Sequence, residues 1–135
     1  MVALVRKAAG VTTIFHIAER SEWDSADLDG IGYAPDGFAE EGFIHGSLPR
    51  QVLASAERHF TGRHDLLLVA LDADSLGADL RFEPAPAVGE DFPHLYRRIT
   101  ADDVRAVAPF TRSGDGSGPY ALPVQLGDIG LEPPT

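Results

Sequence analysis

Cysteine is absent from this chain, which excludes a disulfide framework, a zinc–thiolate site and a thiol nucleophile. Basic residues are few: 11 Lys and Arg stand against 21 Asp and Glu, a formal charge of −10. A surface that acidic repels phosphate backbones, so duplex DNA or RNA is not an expected partner. Also missing is any apolar run long enough to span a bilayer. Met1 to Gly10 place Arg6 and Lys7 after a short apolar stretch, without the apolar core of a signal peptide, so the expected location is cytoplasmic. What remains is an ordinary globular composition, 44% hydrophobic and 24% charged, in 135 residues. That length suits one domain with a buried core.

Against this background the histidines stand out. Three lie in short apolar contexts: Ile14-Phe15-His16-Ile17, Glu41-Gly42-Phe43-Ile44-His45-Gly46-Ser47 and Asp91-Phe92-Pro93-His94-Leu95-Tyr96. A histidine on a buried strand must satisfy two ring nitrogens and is costly unless partners or a ligand wait for it. Three such residues together point to a polar pocket on an apolar scaffold. His45 and Ser47, two apart on a strand, share one face. Ser47 can also cap the following helix, whose N-terminus then doubles as an anion site. Tyr33, on a short extended piece between the histidine motifs, is a candidate ligand contact, as are His94 and Tyr96. For an anionic ligand, Arg97 and Arg98 beside His94, or Arg50 after Ser47, could supply the charge. His59 and His64 flank Gly62 and read as surface residues.

The coarse pattern is α+β: a small mixed sheet with short helices packed on it. Val11 to Ala18 reads as a strand. A short helix follows with Ser21 as N-cap and Trp23 as its anchor into the core. After the short strand Phe43 to Gly46, a helix from Leu48 to Phe60 carries Val52, Leu53, Ala56 and Phe60 at helical spacing, with Pro49 in its first turn. The continuous apolar run Leu66 to Leu71 fits a strand covered on both faces. Leu80 to Glu83, His94 to Ile99 and Val104 to Phe110 complete the predicted strands. Residues 1–112 form one domain, and 113–135, rich in Gly, Ser and Pro at its two ends, reads as a C-terminal tail.

Taken in order, His16-Ile17 with Trp23, Glu41 to His45-x-Ser47 with Gln51, and Phe92-Pro93-His94-Leu95-Tyr96 resemble a small bacterial family, domain of unknown function 952. The likeness runs over about residues 14–110. It implies a fold similar to ADP-ribosyltransferases and to the RNA 2′-phosphotransferases that consume NAD. It further implies His16 and His45 as catalytic residues, Ser47 beside them in the cleft, and NAD as substrate. The chain departs from those enzymes in carrying Phe15 where an arginine precedes the first histidine, and Phe43 where a polar residue stands. It also lacks their paired glutamates, Glu83 and Glu90 being isolated. The expected function is binding of a nucleotide-like ligand (NAD or ADP-ribose) or a phosphorylated one, with ADP-ribosyl or phosphate transfer as the reaction. A non-catalytic binding module and a zinc site made by His16, His45 and His94 are the alternatives.

Overall fold

The computed structural model describes residues 12–113 and 118–123. Its elements run β1 (Thr13–Glu19), α1 (Arg20–Asp24), α2 (Phe38–Glu41), β2 (Ile44–His45), α3 (Pro49–His59), β3 (Leu66–Asp72), α4 (Ala73–Leu76), β4 (Leu80–Ala85), β5 (Glu90–Leu95) and β6 (Val104–Phe110). The strands form two three-stranded antiparallel sheets, β1-β3-β6 and β2-β5-β4. The single mixed sheet expected from sequence is thereby corrected. A parallel pair needs a long crossover, whereas β4 and β5 close as a hairpin and β3 takes an antiparallel neighbour on each side.

In the β1-β3-β6 sheet, β1 and β3 are buried on both faces, as the apolar run of β3 predicts, while β6 alternates between buried and exposed positions. On one face Ile14, Ala18, Leu67, Val69 and Leu71 meet Trp23, Tyr33, Ile44, Leu95 and Ile99. On the other, Phe15, Ile17, Leu66, Leu68 and Ala70 meet Val52 and Ala56 of α3. Each fully buried Leu, Val or Phe here contributes on the order of 1.5–3 kcal/mol.

Three local details differ from the sequence reading. Leu48, not Ser47, is the N-cap of α3, and the Gln51 side-chain oxygen accepts from the Leu48 amide at 2.9 Å. The first helix begins at Arg20, so Ser21 lies inside it. The strand placed at His94 to Ile99 instead runs Glu90–Leu95. Pro93 had suggested a strand entry, yet it sits inside β5 and its carbonyl accepts from the Gly46 amide at 2.9 Å. Of the tail, Tyr120 is buried, its ring 4.9 Å from that of Phe110 and its hydroxyl donating to the Phe60 carbonyl. The predicted tail's remaining stretches, 114–117 and 124–135, lie outside the described residues.

Candidate functional site

Residues 44–47 weld the two sheets together. Ile44 and His45 pair with Leu95 and His94 of β5, while Ser47 exchanges two backbone hydrogen bonds of 2.8 Å with Phe15 of β1. Gly46 makes the crossing possible. A Cβ there would lie 3.0 Å from the Ile14 side chain and 3.2 Å from the Pro93 carbonyl oxygen. Beside the weld opens a cleft of about 860 Å³, a size that accommodates a nucleotide.

His16 forms part of the cleft floor and is 5% exposed. Its Nδ1 lies 2.8 Å from the His45 carbonyl oxygen and its Nε2 2.8 Å from the Tyr33 hydroxyl. A carbonyl only accepts, so the proton sits on Nδ1, and Nε2 accepts from Tyr33. Burial lowers the His16 pKa to about 4, against a partial opposing effect of the hydrogen bond to His45. The ring is therefore neutral at pH 7, with both nitrogens engaged, and it fixes the Tyr33 hydroxyl. Tyr33 is itself 1% exposed, bridged by its backbone to Ile99 and packed 4.8 Å from the Trp23 ring. Burial, then the charges of Glu22 and Asp36, push its pKa up.

His45 projects outward, its Nε2–H donating at 3.1 Å to the Glu41 carboxylate. Helix α2 supplies that carboxylate, ending at Gly42 in the left-handed conformation. Opposite on β5, His94 donates from Nδ1 to Glu83 at 2.7 Å, and the Tyr96 hydroxyl donates to the same oxygen at 2.5 Å. These bonds, Tyr96 first, hold the Glu83 carboxyl below its ordinary range. Phe43 binds the two histidines together, stacked on His94 at 4.1 Å and edge-on to His45 at 4.9 Å. Both histidines thus have one nitrogen oriented by a carboxylate. The other nitrogen, Nδ1 of His45 and Nε2 of His94, meets no protein partner among the described residues.

Of the six residues read from sequence, His16, His45, Tyr33, Ser47 and His94 line this cleft, whereas Tyr96 is not part of the lining and bonds Glu83, the carboxylate that holds His94. Ser47 is buried and its hydroxyl bonds that of Ser55 at 3.1 Å, which is why it does not cap α3. The arginines nominated for an anion are engaged elsewhere. Arg50 pairs with Glu90, Arg97 with Asp79 and Asp103, and Arg98 lies over the Phe38 ring. The cations of the cleft are instead Arg58 and Arg63, with His59 beside them. Ser55, Arg58 and His59 stand at i, i+3 and i+4 of α3, a spacing that puts them on one face. Glu22 and Asp36 also line the cleft; burial, then a hydrogen bond and charge shared with Asp36, raise the Glu22 pKa.

Among the described residues no group of three or more His, Asp or Glu side chains is arranged to hold a metal ion. A three-histidine zinc site is further opposed by His16, whose two nitrogens are already engaged. No described helix is long and apolar enough to cross a membrane.

A family described as "Protein of unknown function (DUF952)" matches residues 17–107. The chain is similar to protein CC0527 from Caulobacter crescentus in its X-ray crystal structure, with 34% identity over 89% of this chain and 99% of that one and a TM-score of 0.70. To the solution NMR structure of CC0527 the identity is 36%, over 77% of this chain and 89% of that one, with a TM-score of 0.64. No curated protein matches.

Proposed function

We propose that this chain, which belongs to the DUF952 family of proteins of unknown function, binds a nucleotide-like ligand, NAD or ADP-ribose, or a related phosphorylated molecule, in its histidine-lined cleft. One observation carries the reading: histidines from three distant segments, at 16, 45 and 94, converge on a single cavity of nucleotide size. The free ring nitrogens of His45 and His94 suit the hydroxyls of a ribose, and the Phe43–His94 stack offers an aromatic edge beside them. Two antiparallel sheets joined beside that cleft also suit the resemblance to ADP-ribosyltransferases and RNA 2′-phosphotransferases.

The reaction that follows from such a ligand is ADP-ribosyl or phosphate transfer. In it His45, held by Glu41, is the proton-carrying group that faces the ligand. His16, fully bonded and neutral, is a positioning residue that fixes the Tyr33 hydroxyl. That same neutrality favours a second reading, a non-catalytic binding module, because the residue matched to a catalytic histidine cannot take a proton at neutral pH. Calorimetric titration of NAD and ADP-ribose into wild type and His45→Ala tests the binding claim. Saturable heat, weakened roughly tenfold or more in the variant, supports it; no heat at millimolar ligand overturns it. Nicotinamide released from NAD decides for the transferase over the module.

A further inference from the structure

Arg58 has no ion-pair partner among the described residues, while Arg63, the cleft's other arginine, pairs with Glu19. Its exposed guanidinium lies 5.9 Å from the centroid of the Phe92 ring, which lines the same cleft. His59 neighbours it on the same face of α3, and Ser55, one turn earlier, lines the same wall. We infer that Arg58 and His59 form a phosphate-binding subsite at the α3 end of the cleft, which receives the phosphate or pyrophosphate of the ligand.

Position at the C-terminal turn of a helix already favours cations through the macrodipole, and that alone would explain a solvated basic end. The surroundings go beyond it. In a chain of formal charge −10, three groups able to carry positive charge, Arg58, His59 and His45, line one cavity. The His59 pKa is lowered by burial first and then by the charges of Arg58 and His45. An anion beside Arg58 and His59 offsets the repulsion between these two groups, and a guanidinium matches two phosphate oxygens at once. The acidic side chains Glu22 and Asp36 line a different part of the wall, beside Tyr33. Two further carboxylates of the lining, Glu19 and Glu41, are taken up by Arg63 and His45, which leaves the Arg58 guanidinium as the cleft cation without an ion pair among the described residues.

The subsite rests on the cleft being the ligand site, so the experiment separates the two claims. Pyrophosphate, inorganic phosphate and uncharged adenosine are titrated by NMR into wild type, Arg58→Gln and His59→Gln. The subsite claim expects wild type to bind pyrophosphate, with affinity falling roughly tenfold or more in Arg58→Gln and less in His59→Gln. Adenosine affinity should be the same in all three proteins. Binding of pyrophosphate over inorganic phosphate assigns a diphosphate, and the reverse order a phosphate monoester. Equal pyrophosphate affinity in wild type and both variants overturns the subsite. Adenosine binding without pyrophosphate binding overturns it too and leaves the cleft reading standing; no binding of any probe overturns both.

Discussion

Neutral, buried His16 makes stability depend on pH in a narrow and identifiable window. In the unfolded chain its imidazole titrates near the ordinary value of 6.5, while in the native state burial lowers this to about 4. As pH falls below about 6.5, the unfolded state takes up a proton that the native state refuses until about pH 4, so the native state loses stability across that interval. Fully expressed, the difference is worth about 3 kcal/mol, and about 2 kcal/mol of it is lost between pH 7 and pH 4.5. Above pH 7 the group contributes no pH dependence. The perturbation is His16→Gln, whose amide keeps a donor and an acceptor but does not titrate. Urea unfolding of both proteins at intervals between pH 7 and pH 4.5 reads the effect, with carboxylate titration common to both and cancelling. Wild type should lose about 2 kcal/mol more than the variant. Equal losses would refute the reasoning, because they would mean that His16 takes up its proton in the folded state as freely as in the unfolded one.

Other perturbations separate scaffold from site. Trp23 packs against Tyr33 beneath the cleft, so Trp23→Ala should cost about 3–5 kcal/mol, whereas His45→Ala, at an exposed side chain, should cost within about 1 kcal/mol; equal thermal melts would make His45 structural. Asp103 is 2% exposed. Burial alone would raise its pKa, but hydrogen bonds from Arg97, Ser75 and the Thr100 amide hold it at about 2. Asp103→Asn should therefore cost about 2 kcal/mol at pH 7. That cost should be present above about pH 4 and vanish as pH falls to 2; in denaturant melts, a pH-independent cost would contradict the assignment.

How much of this was legible depended on whether the deciding partner was local. The run Leu66 to Leu71 and the stripe Val52, Leu53, Ala56, Phe60 announced β3 and α3 because their periodicity is a property of the segment itself. The convergence of His16, His45 and His94 is legible only because histidines set in apolar segments need partners for their ring nitrogens. Ser47 looked like a cap because its neighbours match that signature, but Ser55, eight residues on, takes its hydroxyl. Arg50 and Arg97 looked like anion binders because Glu90 and Asp79 reach them only once the hairpin has formed. His59 reads as a surface residue beside Gly62 and Arg58 carries no signal of its own, since nothing in the linear pattern shows that the β4–β5 hairpin closes a cleft over them. The i, i+3, i+4 spacing from Ser55 was the available signal.

The most direct test of the cleft as a ligand site is a histidine-ring NMR titration with ADP-ribose, following the ring nitrogens of all five histidines. The account expects saturable shifts at His45, His94 and His59, a His16 ring that keeps its Nδ1–H form, and no response from His64. Rings at 45 and 94 that stay unmoved at millimolar ADP-ribose, or that move no more than His64, would contradict it.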